Sequence, residues 1–390
     1  MCKFGREHLF DPILIISVDR TFWIDLIRVV GAFFVVMSHT SNRVAGGFSV
    51  SDEAKAESYG ALGWLVADCF HHLSCVAVPL FLMVSGALLL GRSEEILTFY
   101  RKRFGKILLP FFAWSCIFIL CLWLTGRNFQ NGTPITLVSS TGALLSGNVS
   151  GHFWFMYMLI TLYLVVPFLS VFVRNASKNM LYGFLLLWFF AAVIFPVINT
   201  VAQVMLDIPH IAGYAPFERG NVSYSVGFFV AGYVFKDVVI AKRWAVLAIV
   251  GWFCLAMTPI NSYLQMAYPD SLMAFLLTVV ENYVLPVISH PATLALIAYL
   301  GLRSLGDLPS LPSSRFGRIV LSFAPLTFGI FLCHHLLLVP VMDRLDLGSC
   351  VSGIVVLCAV PTLTIFFYFF AAGMVYLIRW NQHMKALLAP

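Results

Sequence analysis

Long apolar runs separated by short polar segments dominate the chain. A helix that crosses a bilayer needs about 20 such residues. Ten runs meet that description: 22–41, 73–91, 107–125, 153–173, 181–200, 223–240, 244–260, 272–300, 319–341 and 351–378. A shorter amphipathic stretch from Ala61 to His72 precedes the second. The eighth holds Glu281, Pro286, His290 and Pro291. It is expected to break or tilt, because proline removes a helix hydrogen bond. The pattern predicts an all-α, polytopic integral membrane protein with about ten transmembrane helices in one domain. Residues 1–21 form a lead-in, 22–378 the bundle and 379–390 a tail. The apolar stretch Leu9–Val18 matches a signal-peptide core in length, but no small-residue cleavage site follows it. Segments 42–60 and 201–222 are too short to build a core of their own.

Charge orients the bundle. With both termini in the cytoplasm, 18 of the 24 lysines and arginines fall on the inner side. Five fall outside, Arg43, Lys55, Arg127, Arg219 and Arg344, and Arg28 lies within a span. That asymmetry follows the positive-inside rule.

Composition agrees: 60% of residues are hydrophobic and 11% charged, with a mean hydropathy of +0.91. Soluble domains carry about 25% charge. The net charge of +6 sits in short connecting segments, so nucleic acid is not an expected partner. The nine cysteines form no Cys-x-x-Cys pair. His71-His72 is weak as a metal site, because no further ligand lies nearby in sequence.

Candidate chemistry begins in the first span, Trp23-Ile24-Asp25-Leu26-Ile27-Arg28 running on to His39. Ionisable residues inside a membrane are costly and tend to face a protein interior. Arg28 and His39 are eleven positions apart, which on a helix is three turns plus roughly 20° and about 16 Å of rise. They point the same way at two depths of one channel. Asp25, one turn before Arg28, can hold the guanidinium. Tyr100 to Lys106 is the densest basic cluster. Its Arg101, Arg103 and Lys106 suit either anionic lipid or a bound phosphate. Ser85-Gly86 allows close helix approach. His152 and Trp154 open the fourth span, as part of an aromatic belt or at the edge of a sugar site. Adjacent helical residues point about 100° apart, so one of His334 and His335 is expected to face a given cavity. Glu281, if buried, is expected to be paired or protonated.

These segments, taken in order, resemble acyltransferase family 3, bacterial membrane enzymes that O-acetylate surface polysaccharides. The branch acting on enterobacterial common antigen is the nearest likeness. The resemblance rests on Asp25, Arg28 and His39; on Pro79-Leu80-Phe81 through Ser85-Gly86; on Arg103 to Pro110, with Lys106 in a second arginine's place; on His152-Phe153-Trp154-Phe155; and on Thr327 through His334. It selects His334 over His335. The resemblance implies acetyl-CoA as donor, with no metal, and a polysaccharide or lipid-linked sugar as acceptor, at the bacterial inner membrane among its lipids. It further implies His39, Arg28 and Asp25 as catalytic residues and Arg101, Arg103, Lys106 and Ser85 on the donor. His152, Trp154, His334 and Glu281 fall on the acceptor side. His39 then serves as general base or as acyl carrier. A glycolipid transporter and a haem-holding membrane subunit are the rival classes.

Overall fold

The computed structural model describes residues 21–44, 61–129, 132–206, 222–261, 264, 284–345 and 352–389. Residues 1–20 of the lead-in expected over 1–21, and Glu281, lie outside the described residues.

The elements in chain order are α1 Phe22–Val44, α2 Ala61–Ser74, α3 Ala77–Leu89, α4 Ile96–Leu124, α5 Leu137–Ser146 and α6 Trp154–Asn175. Next come α7 Lys178–Phe189, continued by a π-helical turn Phe190–Ile194, then α8 Phe195–Leu206, α9 Val222–Phe235 and α10 Lys242–Leu255. The last are α11 Pro291–Gly306, α12 Arg315–Phe323, α13 Thr327–Cys333, α14 His335–Leu345, α15 Gly353–Trp380 and α16 Gln382–Leu388. Among the described residues there is no strand.

Eight helical stretches are long and apolar enough to cross a membrane, among the described residues. Two of the ten expected spans are represented by shorter helices, Val222–Phe235 and Pro291–Gly306. The second starts late because His290 caps it, accepting a hydrogen bond from the amide of Ala292 at 3.2 Å, with Pro291 in the first turn. That is the break the prolines predict.

Helix α1 is the hub. It is apolar nearly all round, and its buried residues include Phe22, Ile27, Phe34 and Val36 on different faces. A helix of that kind belongs in the interior. It packs against α2, α3, α11, α13 and α15. Helices α3 and α9 cross closely: a Cβ on Gly86 would lie 1.9 Å from the carbonyl oxygen of Phe229, and one on Gly232 would lie 1.9 Å from that of Met83. The Ser-Gly step therefore serves packing, through Gly86. Gly86→Val is expected to lower the thermal midpoint and the yield of folded protein, at a cost of about 1–3 kcal/mol for overpacking. A thermal melt in detergent checks this.

Two elements differ from expectation in ways that shape the site. The basic cluster Tyr100–Lys106 is helical, because α4 begins at Ile96, well before the apolar run. The ninth span is interrupted by a 3₁₀ turn, Ala324–Leu326, while at His334, between α13 and α14, the backbone stays helical. The tail folds back: Trp114 Nε1 donates to the carbonyl of Leu388 at 2.9 Å, and Arg379 donates to Pro325 and Ala389 at 3.0 Å.

Candidate active site

Asp25 and Arg28 occupy the basic end of α1, 4.0 Å apart, with Asp25 buried and Arg28 half-exposed. Arg28 lines a cavity of about 460 Å³ together with Ser85, Arg103, Lys106, Tyr163 and Phe331. Arg103 and Lys106 are three apart on α4, so one helix face carries both into the cavity. Arg101, two residues before Arg103, points away and is exposed. Lys102 instead pairs with Glu94 at 2.6 Å, and that hydrogen bond holds the Glu94 carboxyl below its ordinary range. Arg103 also lines an adjoining cleft of about 80 Å³ with Arg92, Glu94 and Arg174. The basic side thus presents a connected set of guanidinium and ammonium donors, the kind of surface that holds phosphate.

His39 lines a different cavity of about 430 Å³, with Ser38, His71, His152, Trp154 and Tyr224 around it. Arg28 and His39 therefore line two neighbouring cavities. The two cavities have Phe155 and Phe331 in common as lining residues. Those rings stand edge to face, 5.2 Å between centroids. They form a thin aromatic partition between the guanidinium side and the imidazole side.

Four histidines converge beyond that partition. From His39, the ring centroids of His335, His334 and His152 lie at 4.3, 5.3 and 6.3 Å. A carbonyl can only accept, so the contacts assign the protons when every ring is neutral. His152 Nε2 donates to the carbonyl of Leu332 at 3.2 Å. Its Nδ1 then accepts from the hydroxyl of Ser150 at 3.0 Å. The oxygen of Ser150 accepts in turn from His335 Nδ1 at 3.3 Å. His334 Nδ1 donates to the carbonyls of Phe331 at 2.8 Å and Ile330 at 3.2 Å. Both His334 and His335 are left with Nε2 as a bare lone pair, and both nitrogens are buried without a hydrogen-bond partner. The ligand nitrogens of His39, His334 and His335 lie within 4.8 Å of one another.

This arrangement does two things chemically. It gives His39 neighbouring acceptors for an N–H, so it can take a proton with no carboxylate beside it. It also has the composition of a three-histidine metal site, in which each ligating ring is oriented by a bond from its other nitrogen. Nitrogens on one tetrahedral zinc sit about 3.4 Å apart, so the three rings would have to close in around an ion.

Of the residues singled out from sequence, Arg28, Arg103, Lys106 and Ser85 meet in the basic cavity, and His39, His152 and Trp154 in the opposite one. His334 reaches the cluster from behind. Arg101 joins neither cavity. His335 is also in the cluster, nearer to His39 than His334 is. His334 keeps helical backbone angles, and the two adjacent rings still lie side by side, their centroids 4.7 Å apart. Ser150 carries no sequence signal, while Phe155 and Phe331 fall within segments that carry the resemblance and His71 within a histidine pair, none of them marked there as a site residue. Ser38 Oγ lies 3.3 Å from His71 Nδ1 and ties that ring to α1.

The family model for acyltransferase family 3, described as an acyltransferase domain, matches residues 21–385. No curated protein and no solved structure matches the chain.

Proposed function

The chain belongs to acyltransferase family 3, and from that premise we propose that it carries an acyl group from acyl-CoA at its basic face to a carbohydrate hydroxyl at the opposite face. The chain is a membrane acyltransferase. The acyl group we assign is acetyl, and the site of action is the bacterial inner membrane. The acceptor is a hydroxyl of an envelope polysaccharide or lipid-linked sugar, in keeping with the likeness to the common-antigen branch. One observation carries the reading. Two cavities, one ringed by cations and one holding the histidine cluster, meet at Phe155 and Phe331.

The CoA phosphates rest on Arg103 and Lys106, with Arg92 and Arg174 in the adjoining cleft. This set replaces Arg101, which faces elsewhere. The slender pantetheine arm runs past Arg28 and between the two phenylalanines, and brings the thioester to His39. Asp25 steadies Arg28. In the cavity around His39, Trp154 offers an aromatic face to a sugar ring, and Ser38, His71 and Tyr224 offer polar groups.

In the transfer, a His39 nitrogen takes the proton of the acceptor hydroxyl as the oxygen attacks the thioester carbonyl. The carbon–sulfur bond breaks, and the proton passes to the departing thiolate. The bare Nε2 of His335, without a hydrogen-bond partner at rest, takes up the other N–H of His39 when that ring turns to it during transfer, the role an aspartate has in a catalytic triad. Ser150 and His152 hold His335 in the tautomer that makes this possible. In a variant of the route, His39 takes the acyl group first. Acid-quench trapping of a labelled acyl-protein without acceptor separates the two.

The nitrogen cluster supports a second reading, a catalytic divalent ion on His39, His334 and His335. Dialysis against a chelator decides between them. The base mechanism predicts full activity in chelator and inhibition by added Zn²⁺, which competes for the same lone pairs. Activity that disappears with the chelator and returns with metal would move the chemistry to the ion. Transfer itself is tested by reconstituting the chain in sealed liposomes, with labelled acetyl-CoA on one side and envelope glycans on the other. Acceptor-dependent CoA release is the expected result.

A further inference from the structure

Outward-facing basic residues are sparse in this chain, and three of the five meet at one place. Arg43 in the last turn of α1, Arg127 just beyond α4 and Arg344 near the end of α14 come from three separate segments. Asp343 bridges two of them, with Arg43 at 2.5 Å and Arg127 at 2.8 Å. Among the described residues no carboxylate pairs with Arg344, so Asp343, shared by Arg43 and Arg127, is the one carboxylate paired within the trio. Arg127 and Arg344 line a third cavity, of about 190 Å³, with Asn128 and Thr125. It is also lined by Ser150 and His335, which contact each other at 3.3 Å, His335 lying beside the His39 ring. Arg43 is also four residues beyond His39 on α1, about 6 Å along the axis and on nearly the same face.

We infer that this cavity, lined by Arg127 and Arg344, is a subsite for an acidic group on the acceptor. The inference rests on the acyl-transfer reading and narrows its acceptor to an anionic glycan. Positive charge on the outer side runs against the bias that orients membrane proteins, so its concentration over a cavity lined by Ser150 and His335 needs a ligand to explain it. A carboxylate or phosphate accepts the forked guanidinium donors that a neutral sugar leaves unmet. An anionic lipid headgroup offers the same chemistry. The cavity, however, continues inward to buried Ser150 and His335, which a headgroup at the membrane surface has no reason to reach.

The test uses the full chain in zwitterionic nanodiscs and calorimetry with two probes, a trigalacturonate and its methyl ester. The acid is expected to bind about tenfold or more tighter than the ester. The double variant Arg127→Gln/Arg344→Gln is expected to erase that preference while leaving the affinity for a non-hydrolysable acyl-CoA analogue unchanged, which also shows that it is folded. Equal binding of acid and ester, binding of neither, or a preference that survives the double variant overturns the subsite. A preference that disappears when phosphatidylglycerol replaces part of the lipid, with the probes held constant, reassigns the site to headgroups. The acyl-CoA measurement on the unaltered chain is judged separately. Failure there removes the donor reading, whatever the glycan probes show.

Discussion

Replacing His39 by glutamine is expected to abolish acyl transfer, by at least about 10³-fold in kcat, while the protein still inserts, folds and binds acyl-CoA. General-base contributions alone are worth about 10²–10⁴. Glutamine keeps hydrogen-bonding capacity near the size of the ring, so packing among the neighbouring imidazoles is disturbed little. The donor cations are untouched, since Arg103 and Lys106 line the other cavity. A loss confined to kcat is therefore the signature. Steady-state CoA release and analogue binding, measured on the same preparation, check it. Variants of the supporting rings should grade below this. Ser150→Ala breaks the link between His152 and His335 and should leave measurable turnover, since His39 itself remains. If His39→Gln retained normal turnover, the histidine cluster would lose its chemical role.

Charge reversal at Arg103 is expected to have the next largest effect, and on a different parameter. Arg103→Glu should weaken acyl-CoA affinity by roughly 10- to 150-fold, the range spanned by losing one charge-assisted hydrogen bond of about 1.5–3 kcal/mol. Arg101→Glu should change affinity little, because that side chain lines neither cavity. The contrast matters more than either value. Both residues sit in one basic cluster, so a site held by general surface charge would respond to both alike. Titration with a fluorescent CoA analogue in nanodiscs separates the outcomes, and equal losses at the two positions would remove the cavity from the donor path.

Much of this was readable in the residues, and the failures have physical causes. The period of α1 places Arg28 and His39 at two depths on one face, and they do face two cavities there. The spacing says nothing about what lies between them. The partition is built by Phe155 from α6 and Phe331 from α13, two phenylalanines among 36, and only tertiary packing selects them. The resemblance selects His334, and the 100° between helical neighbours gives no reason to put His335 at the same place. Both rings nonetheless lie close to His39, at 5.3 and 4.3 Å between centroids, which only the packing of α1 against this segment decides. Arg101 groups with Arg103 and Lys106 in the sequence because all three fall in one basic cluster outside the expected span. Once the segment is helical, i and i+3 share a face and i−2 does not. The extent of α4 beyond its apolar run was hidden for the same reason: hydropathy marks where a helix enters lipid, and this one starts earlier, in a polar stretch. The cavity lined by Arg127 and Arg344 depends on three segments far apart in sequence, and a linear reading leaves those residues as scattered exceptions to the charge bias.

The central claim is that a donor held at the basic face reaches His39 from below, between Phe155 and Phe331. A cryo-electron microscopy structure with a non-hydrolysable acyl-CoA analogue tests it most directly. The account predicts phosphate density against Arg103 and Lys106, the two phenyl rings parted, and the thioester-equivalent carbon in contact with the His39 ring. Density for the arm that ends on the Arg28 side of a closed Phe155–Phe331 pair, or an analogue bound from the His39 side, would contradict it.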